Sequence, residues 1–211
     1  MAQDAQPTSK WRLQANAGAA VNYFTNEQPH TGINIGFVSS LRLNYATSKH
    51  FGLYAETGYA GAGGSLTKFT DLSYLGFDPT ITFTNVKNSS YLIHSLASSI
   101  GFYYTAVAKE KWSFKIYAAP TFNITLGETE QYEKTGNLLT GVSQTGFQLG
   151  LPVKKSQELV LDFRYNGGLT SVLDDYSYIG TAGVSGNIRT NAFTLGLGYS
   201  IPAFKKKTTK K

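Results

Sequence analysis

The chain has 211 residues, no cysteine, three histidines and a formal charge of +6, with 41% hydrophobic and 15% charged residues. Without cysteine there is no disulfide framework, thiolate metal site or cysteine nucleophile, and His30, His50 and His94 are too scattered for a zinc centre. The apolar and aromatic content excludes a disordered chain, and no uninterrupted run of about 18 apolar residues provides a membrane-spanning helix.

The charge is unevenly placed. Five lysines stand in the last seven residues, 205–211, and the rest of the chain carries 14 basic against 13 acidic side chains. A basic run of this kind at a chain end reads as a solvated tail rather than a nucleic-acid surface. Residues 1–9 lack the basic and apolar regions of a secretory signal, which leaves a cytosolic chain or a mature chain carrying an added initiator Met. Small residues at Ala2 and Ala5 fit the second reading.

From Lys10 onward, alternation with period two dominates and helical periodicity fails. The first stretch, to Phe24, sets Trp11, Leu13, Ala15, Ala17, Ala19, Val21 and Tyr23 against Arg12, Gln14, Asn16, Gly18, Ala20 and Asn22. The second, Gly32 to Ala46, opposes Ile33, Ile35, Phe37, Leu41, Leu43 and Tyr45 to Asn34, Gly36, Ser40, Arg42 and Asn44. The third runs from Phe51 to Tyr59, with Tyr54 and Glu56 on its small-residue parity, and the fourth from Leu92 to Tyr104. The fifth, Trp112 to Leu126, places Lys115 and Tyr117 opposite an apolar parity interrupted by Pro120, which predicts a bulge or bend. Gln144 to Val153, Leu159 to Tyr165 and Phe193 to Ile201 complete eight predicted strands.

The connections alternate in length. Those at Thr47–His50, Ala108–Lys111 and Lys154–Gln157 are short, whereas Thr25–Thr31, Gly61–Ser90, Gly127–Gly141 and Ser171–Asn187 are longer and polar. Short turns at one end and long loops at the other are the pattern of an eight-stranded antiparallel up-and-down transmembrane β-barrel over residues 10–204. Twelve residues tilted by about 45° rise roughly 28 Å, enough for the roughly 25 Å apolar band of such barrels. A soluble ligand-carrying barrel would reverse the faces. The polar parity, crowded with Gly, Ser, Ala and Asn, suits a narrow lumen better than a water-facing surface.

Six aromatic residues, Trp11, Tyr45, Phe51, Tyr104, Trp112 and Tyr199, sit beside the short turns and are expected to form a headgroup-level girdle. Tyr23, Tyr59 and Tyr165 are candidates for the other rim. On the lumen parity, Arg12, Arg42, Glu56, Lys115, Asp162 and Arg164 must pair or stay hydrated, and Glu56 and Asp162 are expected to bridge the four cations. In the loops, Glu128, Glu130, Glu133, Asp174 and Asp175 are candidate ligands for divalent cations shared with lipopolysaccharide phosphates, with ordinary solvated acids as the alternative. Thr80–Thr84 alternates again and is a candidate extension of a hairpin beyond the membrane. His94 with Ser95 or Ser98 is the one Ser–His arrangement worth weighing. Adjacent strand residues point to opposite faces, so no catalytic residue is assigned.

These eight alternating strands, the Gly-rich lumen parity, the start Ala2-Gln3-Asp4 and the last strand Phe193-Thr194-Leu195-Gly196-Leu197-Gly198-Tyr199-Ser200-Ile201 resemble the porin-family outer-membrane β-barrel proteins of Bacteroidota. The architecture is similar to OmpA-type and OmpX-type barrels. One departure is that Pro202-Ala203-Phe204 and the lysine tail follow the last strand. The resemblance implies a bacterial outer-membrane location with both termini periplasmic, and outer-membrane lipid and lipopolysaccharide as surroundings. It also implies a structural or interaction role through the outer loops, accessory to an envelope complex or protein partner. No cofactor and no nucleic-acid partner are expected. The alternatives are a narrow solute pore and a lipid-modifying enzyme.

Overall fold

The computed structural model describes residues 10–25, 31–69, 86–128, 138–154, 156–171, 173–176 and 186–203. They form nine strands: β1 (Trp11–Thr25), β2 (Thr31–Ala46), β3 (Phe51–Phe69), β4 (Val86–Ala108), β5 (Ser113–Glu128), β6 (Leu139–Lys154), β7 (Gln157–Gly168), β8 (Leu173–Tyr176) and β9 (Gly186–Pro202). Each of β1 to β6 pairs antiparallel with the next, β7 pairs with β9, and β9 returns to β1 over a ladder from Arg12↔Pro202 to Thr25↔Arg189. Eight strands thus close into a barrel. The short β8 lies outside the ring, paired only with the start of β9 at Leu173↔Ile188 and Tyr176↔Gly186.

The register sets the shape. A circuit leaving β1 at Trp11 passes Tyr45, Leu53, Phe102, Ala118, Thr145, Tyr165 and Phe193, and returns to β1 at Val21, ten residues farther along. That stagger, at about 3.3 Å per residue and about 4.8 Å per strand, tilts the strands by about 40°. The lumen is therefore narrow enough for side chains to fill.

The faces divide along the expected parities. Ile35 and Ile100 point outward at 73% and 74% exposure, whereas Gln14 and Arg42, on the opposite parity, are each 1% exposed. A wall of bare Leu, Ile, Phe and Val would be untenable in water, and it is the surface that a hydrocarbon phase solvates. Inside, Tyr54, Tyr117 and Ala119 pack together with Tyr103 against them.

Three expectations need correction. The connection predicted over Gly61–Ser90 is ladder at both its ends, because β3 and β4 stay paired from Gly61↔His94 to Phe69↔Val86. This arm lacks the apolar alternation that marks a membrane strand, but backbone pairing does not require it. β5, β6 and β9 likewise reach into the predicted long loops, to Glu128 and from Leu139 and Gly186. Pro120 makes no bulge: it keeps register opposite Ser143, and the ladder with β4 resumes unshifted from Ser99↔Thr121 to Phe102↔Ala118. Its missing N–H removes a bond without moving the strand. The irregularities of that seam fall instead at His94/Ser95 and Thr105/Val107. Thr80–Thr84 and the tail 205–211 lie outside the described residues.

Candidate lumen site

The centre of the barrel is an ionic cluster built from three strands. Arg42 on β2 and Glu56 on β3 are direct cross-strand partners, with Arg42 Nε and Nη2 donating to Glu56 Oε2 at 2.8 and 2.5 Å. From β7, across the lumen, Arg164 Nη1 donates to Glu56 Oε1 at 3.0 Å. Arg164 also binds Asp162, two residues earlier on the same strand face, through Nε at 3.1 Å and through Nη2. Asp162 Oδ1 accepts from Tyr117 Oη at 2.7 Å and Gln148 Nε2 at 3.3 Å, and the Ser40 hydroxyl donates to Glu56. Two guanidiniums thus meet two carboxylates, so the cluster is neutral overall.

Aromatic rings complete it. The Arg42 guanidinium lies 4.4 Å from the Tyr54 ring centroid and 4.3 Å from that of Tyr117, so two rings flank the cation. The two rings meet edge to face, 5.7 Å apart. Glycine makes room for them: a Cβ on Gly146 would lie 2.6 Å from the Tyr117 ring, and one on Gly101 would lie 2.9 Å from Tyr54. All four ions are buried, with side-chain exposures of 1% for Arg42, 4% for Glu56, 8% for Arg164 and 2% for Asp162. Such a cluster holds because every ion has a partner, and losing one partner strands another charge.

Arg12 and Lys115 do not join this cluster. They sit at the short-turn end, where Glu158 is 3.4 Å from Arg12 Nη2 and 3.7 Å from Lys115 Nζ. Arg12 Nε also donates to Ser200 Oγ at 3.0 Å. The expectation that Glu56 and Asp162 bridge all four cations is therefore corrected: both cations start their strands, several residues from Glu56 along the ladder. Glu158 escaped the sequence reading because it precedes the predicted start of its strand, although it shares parity with Asp162 and Arg164. Tyr54 and Tyr117 did carry a signal, being large rings on a parity of otherwise small residues.

Outside the barrel, Trp11 and Tyr45 pack at 4.5 Å and Phe51 and Tyr104 at 5.0 Å, all beside the Thr47–His50 turn. Trp112 lies by the next turn with Lys109 Nζ 5.7 Å from its ring centroid, and Tyr199 donates to Gln157 at 2.6 Å beside the third. Toward the long connections, Phe193 stacks with Tyr23 and packs against Tyr165. Tyr59 instead pairs with His94, its hydroxyl 2.5 Å from Nδ1, while Ser98 pairs with Thr57 at 3.0 Å. Glu128 ends β5, but its side chain and those of Asp174 and Asp175 are outside the described set, as are Glu130 and Glu133 entirely. Among the described residues, no group of three His, Asp or Glu side chains is placed to hold a metal.

The barrel is thus closed, apolar on its outer wall and filled by ions within. The family model for the outer membrane protein β-barrel domain matches residues 1–174. The chain belongs to this family. It is a β-barrel protein of the bacterial outer membrane. No curated protein matches it. Among solved structures, this outer-membrane barrel is similar to Neisserial surface protein A, at 12% identity and a TM-score of 0.53 over 92% of this chain and 97% of that one. It is also similar to the outer membrane protein OprG of Pseudomonas aeruginosa, at 7% identity and a TM-score of 0.55, again over 92% and 97%. At such identities the likeness concerns the fold alone.

Proposed function

We propose that this outer-membrane barrel is a sealed, non-enzymatic scaffold that acts through its long connections. In this reading both ends of the barrel strands, near Lys10 and Ala203, face the periplasm, and the connections at 26–30, 70–85, 129–137 and 177–185 face outward. There they meet lipopolysaccharide and a protein partner of the envelope, and loop carboxylates share divalent cations with lipid phosphates. The Gly-rich β9 supports the narrower reading of a Bacteroidota-type barrel.

The observation that carries the proposal is the Arg42–Glu56–Arg164–Asp162 cluster, which spans the lumen from β2 and β3 to β7 with all four ions buried. An interior so filled is a wall, not a conduit. In planar bilayers the purified barrel is expected to give no discrete current steps. Reproducible steps would establish a narrow pore instead. Altered lipid A or phospholipid profiles on expression would point to a lipid-modifying enzyme.

A further inference from the structure

Charge is divided between the two ends of the barrel. Between the two aromatic rims, the outward parity of the barrel strands carries no Lys, Arg, Asp or Glu. Past the short-turn rim the surface turns basic. Lys10 before β1, Lys49 between β2 and β3, Lys109 and Lys111 between β4 and β5, and Lys154 at the end of β6 are all exposed, and Glu110 is the one exposed acid among the described residues there. Inside the same mouth Arg12 and Lys115 share Glu158, which leaves a further positive charge. By contrast, the connections at 26–30, 70–85, 129–137 and 177–185 contain five acids and one lysine.

We propose that the short-turn end is a basic collar that binds the phosphate headgroups of anionic phospholipids in the adjoining leaflet. Two features fit a lipid annulus rather than a soluble anion. The lysines are divided among all three short turns and the start of β1, so they surround the ring instead of converging on one ligand. They also stand beside the aromatic girdle: Lys109 Nζ is 5.7 Å from the Trp112 ring centroid, and the Lys10 carbonyl accepts from the Ala46 N–H next to the Trp11–Tyr45 pair. A girdle at headgroup depth sets these ammoniums level with lipid phosphates. One lysine at an anionic membrane surface strengthens attachment about fivefold. The inference rests on the proposed orientation only for naming the leaflet as the periplasmic one, and it adds the headgroup charge that the barrel selects there.

Both tryptophans of the chain, Trp11 and Trp112, stand at this end, so their fluorescence reports the lipid around the collar whichever way the barrel inserts. The full chain is folded into mixed vesicles of phosphatidylcholine and phosphatidylglycerol, with a bromine quencher first on one lipid and then on the other. Phosphatidylglycerol is expected to be favoured about two- to fivefold, the effect of one lysine on one headgroup. Salt at about 1 M, where the screening length is about 3 Å, should bring that ratio close to one. The combined variant Lys49→Gln, Lys109→Gln, Lys111→Gln and Lys154→Gln should do the same at low salt. Equal quenching by the two lipids at low salt would leave the lysines to solvent or to an acidic protein, and the proposal fails. A preference that survives both salt and the glutamines also overturns it. Should the variant not fold, the salt series in the unaltered barrel decides. Orientation is tested apart. The chain has no cysteine, so Lys111→Cys supplies a single thiol. Its labelling by an impermeant maleimide on intact cells would overturn the periplasmic orientation, not the lipid preference, and its protection would support that orientation.

Discussion

Glu56 holds two guanidiniums with one carboxylate, so its loss would leave both partly unpaired in a buried site. Glu56→Ala is expected to cost about 3–5 kcal/mol, the range for breaking a buried ion pair from one side. Urea unfolding of the barrel in lipid vesicles would measure it, and a loss below about 1 kcal/mol would mean that the arginines are hydrated. A second residue carries strain rather than charge. Ser156, in the turn between β6 and β7, has φ of 140°, a conformation that L side chains avoid. Ser156→Gly should therefore raise stability by about 1 kcal/mol, read from the same unfolding curves. At this scale the sequence showed most of the charges that face inward, though not Glu158, and not who meets whom. Arg42 and Glu56 could be paired only once the β2–β3 register was known, and Ser156 gave no sign of its backbone.

Each barrel strand carries two incompatible surfaces, and their separation by parity is what one residue of slippage would destroy. Ile100, near the middle of β4 and 74% exposed, stands where the wall is expected to meet hydrocarbon. Ile100→Arg should cost about 2–4 kcal/mol when the barrel folds into vesicles. A neutral result would place that face in water or against another protein. Parity was legible because lipid demands a mostly apolar row, which Thr57 and Ser98 interrupt without hiding, and the eight strands follow from that demand. The upper arms of β3 and β4 were not legible, since beyond the apolar band a hairpin needs only its backbone bonds. Pro120 misled for a related reason: on a strand paired at both edges it lost one bond, and the continuous β6 ladder kept its register.

The molecule as a whole is a ring in which every barrel strand is paired on both sides, and a ring resists unravelling until it opens somewhere. Folded in detergent and run on a gel without boiling, it is expected to migrate differently from the boiled chain, with a β-rich circular dichroism spectrum before heating. A protein soluble and β-rich without detergent would reverse the assignment of its faces. Closure also imposes an order in time. The ladder between β1 and β9 joins residues nearly the whole chain apart, from Arg12↔Pro202 to Thr25↔Arg189. Until β9 has been made and delivered, β1 keeps a bare edge of unpaired N–H and C=O groups, a template for any passing strand. Synthesis and closure therefore cannot proceed together: the barrel's first strand must be chaperoned through the wait for its last.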